Sequence, residues 1–182
     1  MMIKEAIKQY YDKLDDLWNQ RRNTHPRVPY NNEMPKEMYI GDSNESGYIS
    51  WKIIDNKEKA DFNEIQKEIG LELHNDIKEY FTSYFFMKMV GSVGAIIVSF
   101  TPITPLVDIK HFIIKRNKIA KDIGRNTNLI EIGLAEIDGV DNLLLCIDNS
   151  TGKVIWLDAE KDESEIIASS IYELISNMEP RC

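Results

Sequence analysis

The side chains most suited to nucleophilic or metal chemistry in this sequence are three histidines and two cysteines. His25, His74 and His111 show no helical ligand spacing, and Cys146 and Cys182 lie far from all three in sequence. A zinc site needs about four nitrogen or sulfur ligands, and no serine or cysteine is marked as activated by a neighbouring base. We therefore expect neither a metal site nor a catalytic residue, and we interpret His74 as a hydrogen-bonded structural residue.

Two short motifs resemble ligand-binding loops without completing them. The run 42–47, Asp-x-Asn-x-Ser-Gly, matches the first half of a calcium loop, but its twelfth position is Ile53, where such a loop needs a bidentate carboxylate. Gly91-x-x-Gly94 lacks the Gly-Lys-Ser/Thr ending of a phosphate loop. Because these residue types form tight turns, we interpret both motifs as turns and expect no cofactor and no small-molecule substrate.

Basic side chains recur along one predicted helix. Lys115, Lys118, Lys121 and Arg125 follow each other at steps of three and four, so they share one face. We interpret this face as a solvated outer surface, with contact to anionic lipid or phosphate as the alternative.

Acidic side chains accumulate in the last third of the chain, where Lys161 interrupts the second of two runs. Turns and helix caps account for some of them. The remainder is expected to form one negative rim, which either binds a partner or only keeps the protein soluble. Trp51 is either a core residue or, if it is exposed beside this rim, a binding hot spot. The candidate partner-binding residues are Trp51, Glu131, Glu136, Asp138, Asp141, Asp158 and Glu160.

The overall charge and the cysteine content narrow the class of protein. The 182 residues carry a net charge of −8, which favours a basic protein partner and argues against nucleic-acid binding. Two unpatterned cysteines and a charged N-terminus without a signal sequence indicate a cytoplasmic protein. The uncharged run 89–107 is long enough to span a membrane, but its glycines, prolines and β-branched residues favour a buried hairpin. Membrane association is thus expected to be peripheral at most.

Hydrophobic periodicity predicts the elements that position these residues. Steps of three and four predict helices at 3–18, 62–69, 73–84, 107–124 and 166–175, with Asp162 and Glu165 capping the last. Apolar runs predict strands at 38–40, 48–53, 85–90, 93–100, 129–137, 142–148 and 153–157. This order is not a regular βαβ alternation. It predicts a single α+β domain over residues 1–182, in which helices pack on a mainly antiparallel sheet.

A series of short motifs, in order along nearly the whole chain, resembles the Syd family of the SUKH superfamily. The motifs are Leu17-Trp18, Pro26-Arg27-Val28-Pro29, Tyr39-Ile40-Gly41, Tyr48-Ile49-Ser50-Trp51, Leu73-His74, Ile77, Tyr80-Phe81, the run 148–154, Asp-Asn-Ser-Thr-Gly-Lys-Val, and a predicted helix from Ala168 to Leu174. The resemblance implies an α+β fold and protein binding without catalysis.

The same resemblance implies two kinds of partner. Syd proteins associate with the SecY translocation channel from its cytoplasmic side, and many other SUKH members are similar to immunity proteins that neutralise secreted toxins, often nucleases. The run 101–105, Thr-Pro-Ile-Thr-Pro, departs from the Syd pattern. Our main expectation is therefore an immunity protein (antitoxin) whose acidic rim covers the basic active site of a toxin. The alternatives are binding to the basic cytoplasmic loops of SecY, and an enzyme whose active site the sequence does not reveal.

Overall fold

A computed structural model, which describes residues 2–58 and 60–181, confirms the α+β class. Its helices are α1 Met2–Arg22, α2 Phe62–Ile69, α3 Asn75–Ser83, α4 Ile109–Asp122 and α5 Ile171–Ser176. Its strands are β1 Arg27–Pro29, β2 Tyr39–Ile40, β3 Tyr48–Trp51, β4 Ile54–Asp55, β5 Tyr84–Phe85, β6 Met89–Val93, β7 Ile96–Phe100, β8 Leu129–Ile137, β9 Val140–Asp148, β10 Val154–Asp158, β11 Glu163–Ala168 and β12 Glu179–Pro180.

Seven of these strands form one antiparallel sheet. Its order is β11-β10-β9-β8-β7-β6-β12. Strands β6 to β11 therefore lie side by side in the order of the sequence, and the C-terminal strand β12 lies at the edge next to β6. A separate three-stranded sheet has the order β1-β3-β2, and β4 pairs with β5. The antiparallel sheet and its packed helices are the architecture that the sequence predicted.

The main core lies between one face of the large sheet and the helices α1, α3 and α5. The apolar stripe of α1 enters this core, and two of its tyrosines keep a hydrogen bond there. The hydroxyl group of Tyr10 donates to the carbonyl of Val90 at 2.8 Å, and that of Tyr11 donates to the carbonyl of Trp51 at 2.7 Å. These bonds tie α1 to the large sheet and to the three-stranded sheet. They also give each hydroxyl group a hydrogen-bond partner, without which its burial would cost free energy.

The uncharged run 89–107 forms the hairpin of β6 and β7, as predicted. Its turn, however, lies at Gly94–Ala95, since Gly91 belongs to β6 and pairs with Pro180 of β12. A side chain at Gly91 would come within 2.7 Å of the backbone oxygen of Glu179, so the close approach of β12 requires glycine there. Within the described residues, none of the helices combines the length and the apolar character needed to cross a membrane.

The first half of the predicted final helix is a strand in the structure, so this part of the prediction is wrong. Residues 163–168 pair with β10 as strand β11, and the helix begins only after Ser170, whose side chain accepts the N–H of Glu173 at 3.1 Å. Consequently Ile166, which was expected to be buried, is 54% exposed. The other predicted helices agree with the structure, although α1 continues to Arg22 and Ile123 at the end of α4 is exposed.

Candidate partner-binding surface

Three hairpin turns meet at one end of the large sheet. They are the β6–β7 turn at 94–95, the β8–β9 turn at 138–139 and the β10–β11 turn at 159–162. Their alignment follows from the register, in which Ile97 of β7 pairs with Glu136 of β8, and Leu144 of β9 pairs with Leu157 of β10. Alternate connections of an antiparallel sheet lie at the same end of its strands. Side chains from distant parts of the sequence therefore gather there.

This end of the sheet is acidic, and we call it the acidic end. None of its carboxylates takes part in an ion pair with a described residue, and all are exposed. Asp138 and Asp162 also have left-handed backbones, with φ of 50° and 56°, a conformation that Asp tolerates better than most residues. The acidic end consists of Glu136, Asp138, Asp141, Glu160, Asp162 and Glu163, and the first four of these were predicted partner-binding residues.

Asp158, another predicted residue, has a structural role beside the acidic end. Its carboxylate is nearly buried and accepts the N–H groups of Glu160 and Lys161 at 3.0 and 3.1 Å. The ammonium group of Lys161 lies 3.3 Å from it. The N–H of Lys161, together with that of Glu160, lowers the pKa of Asp158. Asp158 thus holds the turn, and Lys161 is the basic residue that this turn contributes.

Glu131 is separated from the acidic end by burial. It lies on the sheet face opposite the main core, which we call the back face, and it is only 8% exposed beneath α4. Burial raises the pKa of its carboxyl group, an effect that the guanidinium groups of Arg116 and Arg125 oppose. The Arg116 Nη2 atom lies 3.3 Å from the Glu131 carboxylate. Glu131 therefore contacts α4 and is not available to a partner.

Trp51 is part of the core, so the alternative of an exposed hot spot is wrong. Its side chain is 1% exposed and packs edge-on against Tyr11 at a centroid distance of 5.3 Å. Tyr48, three residues earlier on β3, is exposed on the other side of the small sheet. The alternation of a strand predicted these opposite directions, but it did not indicate which of the two rings faces inward.

The sequence did not reveal an exposed apolar strip on the back face. Leu134 of β8 is 42% exposed and projects from the same face as Glu136, two residues along. Its cross-strand neighbour is Leu144, and Ile166 of β11 lies further across the same face. Leu144 itself is half-buried, so we define the apolar strip by the two exposed side chains, Leu134 and Ile166. Helix α4 covers the back face around Glu131 and reaches Leu144, which lines a cavity with Arg116 and Ala120, whereas Leu134 and Ile166 stay exposed.

The remaining candidate motifs have structural roles. His74 is the N-cap of α3 and accepts the N–H of Asp76 at 3.2 Å, as expected for a structural histidine. The run 42–47 is a turn in which the side chain of Asn44 accepts the N–H groups of Ser46 and Tyr48. Among the residues that the structure describes, no three His, Cys, Asp or Glu side chains are grouped so that they could hold a metal ion.

Comparison with known proteins identifies the family. The model of the family described as Syd protein (SUKH-2) matches residues 4–180. One similar protein is Protein Syd of Photobacterium profundum, which is 24% identical over 140 residues, a region that covers 72% of this chain and 71% of that protein. The family match extends from α1 to β12 and includes both the acidic end and the apolar strip. The chain therefore belongs to the Syd family.

Proposed function

We propose that this chain is a non-catalytic binding protein whose acidic end and apolar strip together contact a basic surface of another protein. The observation that carries the proposal is that six exposed carboxylates, unpaired among the described residues, gather at one end of the large sheet. Leu134 is exposed two residues from Glu136, and Ile166 is exposed on the same face as Leu134. Protein interfaces commonly combine an apolar centre with a polar rim. The carboxylates would steer and orient the partner, and the apolar strip would supply the desolvated centre.

The partner that best fits family and charge is the group of cytoplasmic loops of SecY. Such loops of membrane proteins carry an excess of lysine and arginine, which complements the acidic end. The net charge of −8 also disfavours nucleic acid as a partner. In this proposal the protein works in the cytoplasm and meets the membrane only through the channel.

A second candidate is the immunity function, in which the same surface covers the basic active site of a toxin nuclease. The apolar strip favours this candidate, because a tight one-to-one complex would bury side chains such as Leu134 and Ile166 that are otherwise exposed to water. Both candidates use one surface and one kind of complementarity, so the same variants test them.

The test is binding of the purified protein to vesicles that contain SecY, with empty vesicles as background. We expect the triple variant Glu136→Gln, Asp141→Asn and Glu160→Gln to bind about tenfold more weakly, and the double variant Leu134→Ser and Ile166→Ser to show a similar loss. All five side chains are exposed, so the fold should persist. Binding should also weaken with added salt.

The matched control neutralises three other exposed carboxylates, in the variant Glu5→Gln, Asp16→Asn and Glu33→Gln. It has the same net charge as the first triple variant but an intact acidic end, so its affinity should remain near that of the unchanged protein. Equal losses in both triple variants would contradict a specific surface. Absence of binding to SecY at low salt, together with inhibition of a nuclease encoded beside this chain, would select the immunity function.

A further inference from the structure

A second concave surface lies at the opposite end of the large sheet, between the C-terminal part of α1, the small sheet and the residue before β6. It encloses about 730 Å³, a volume within the range of ligand and peptide sites. A smaller cavity continues it inward toward Arg181. We call this surface the basic groove and define it by Trp18, Arg22, Arg27, Tyr48, Lys88 and Arg181.

Cations line the basic groove, and no carboxylate of the described residues does. This separation is unexpected in a chain with 30 acidic and 22 basic residues. Two acids close to the groove are paired with other residues, since Asp15 lies 2.7 Å from the His25 ring and Glu179 lies 3.5 Å from the ammonium group of Lys13. Glu45, between the lining residues Asn44 and Ser46, is exposed and does not line the groove. Within the described part of the chain, Arg27 and Lys88 form no ion pair, and the buried Nε of Arg27 has no acceptor. The described lining of the groove therefore carries positive charge and no carboxylate.

Two aromatic rings flank these cations. The guanidinium group of Arg22 stacks over the ring of Trp18 at 5.1 Å, and Tyr48 is 45% exposed at the opposite side of the groove. Arginine, tryptophan and tyrosine are the residues most enriched at binding hot spots, because they combine apolar area with fixed polar groups. This composition suits a peptide, whose side chains are partly apolar, better than it suits an isolated inorganic anion.

The edge strand β1 reaches the groove through Arg27, and its outer side carries backbone groups that β3 does not use. In its pairing with β3, Trp51 donates to the carbonyl of Pro26 and Tyr30 donates to the carbonyl of Gly47. By the alternation of an antiparallel ladder, the N–H and C=O of Arg27 and the C=O of Pro29 then point away from β3. An extended peptide could pair with them as an added strand.

We propose that the basic groove binds an extended acidic segment of a partner protein, with its carboxylates on Arg22, Arg27 and Lys88 and its backbone along β1. A membrane surface fits less well, because the positive charge lies in a concavity that a flat bilayer does not enter. A nucleic acid fits less well, because the rest of the molecule, with a net charge of −8, repels a long polyanion. The basic groove is distinct from the acidic end, and this proposal does not depend on which protein binds the acidic end.

The test is fluorescence anisotropy with a labelled octapeptide of alternating glutamate and threonine, compared with its glutamine–threonine counterpart. We expect the acidic peptide to bind and the neutral one to bind at least about tenfold more weakly. The double variant Arg22→Gln and Lys88→Gln, which alters exposed side chains only, should lose affinity by about tenfold or more.

The matched control is the double variant Lys115→Gln and Lys118→Gln, two exposed lysines of α4, which changes the net charge equally and should keep the affinity for the acidic peptide. Equal binding of the acidic and neutral peptides, equal losses in both double variants, or no binding at low salt would overturn the proposal. So would tighter binding of a single-stranded oligonucleotide or of vesicles with anionic lipid, or a concentration-dependent self-association that places a second copy's acidic end in the groove.

Discussion

At the scale of single residues, Glu131 is an acidic side chain whose ionisation the fold disfavours. Its carboxylate is buried beneath α4, where loss of hydration raises its pKa above the ordinary 4.5 while Arg116 and Arg125 favour the charged form. Since Arg116 is about half exposed, water can solvate that guanidinium without Glu131. The cost of burying the carboxylate charge is therefore not fully offset.

We predict that Glu131→Gln leaves the protein as stable as before, or more stable by about 1 kcal/mol, at pH 7. The folded state holds the Glu131 proton more tightly than the unfolded state, so the unchanged protein loses stability as the pH rises from 4.5 through the raised pKa. Glutamine does not titrate, so the stability difference between variant and unchanged protein should grow across that window and then level off. Denaturant unfolding between pH 4 and pH 8 measures it. A stability difference between Glu131→Gln and the unchanged protein that stays flat from pH 4 to pH 8 would contradict the prediction.

The direction of a strand side chain explains which site residues the sequence could predict. Glu136, Asp138, Asp141 and Glu160 lie in or next to turns, where acidic residues are expected to be exposed. Glu131 lies beside a register shift of β8, which sets the face from which its carboxylate projects. No local pattern of residues marks such a bulge in advance, so its burial required the structure.

At the scale of elements, the C-terminal segment shows two capping patterns in competition. Both Asp162-x-x-Glu165 and Ser170-x-x-Glu173 fit the start of a helix. The second one is used, since the side chain of Glu173 also accepts the N–H of Ser169 at 2.7 Å. The first is overridden because residues 163–168 run along β10 as a strand, in which the β-branched Ile166 pairs with Ile155. Periodicity alone could not decide between the two capping patterns. For α2 no such choice arose, because Asp61 caps its start, Gly70 ends it, and no strand pattern overlaps its residues.

We predict that Ser170→Ala lowers the free energy of unfolding by about 1 kcal/mol, the usual cost of losing an N-cap. The loss follows from the N–H of Glu173, which would no longer have its side-chain acceptor. Thermal or denaturant unfolding measures it. Ser164→Ala, at an exposed serine of β11, is the matched control and should change stability by only a few tenths of a kcal/mol. Equal effects of the two substitutions would mean that Ser170 does not cap α5.

At the scale of the whole molecule, the fold separates charge that the sequence intermixes. The hairpins of the large sheet bring carboxylates to one end, while α1, β1 and the residues beside β6 and β12 bring cations to the other. The α+β class and most elements were predictable from periodicity. The basic groove was not, because its members Trp18, Lys88 and Arg181 come from distant parts of the chain and share no local pattern.

This separation predicts that the two surfaces bind independently. The basic groove lies beside β6, and the acidic end is centred on β9, three strands away or roughly 14 Å at ordinary strand spacing. That distance exceeds the screening length of about 10 Å at 0.1 M salt, and the paired strands of the large sheet lie between the two surfaces. The affinity of the acidic octapeptide should therefore change by less than about twofold when the protein is saturated with SecY-containing vesicles. Anisotropy titrations with and without the vesicles measure this coupling. Displacement of the peptide by SecY would show that one partner covers both surfaces, and the division of the molecule into two binding ends would then be wrong.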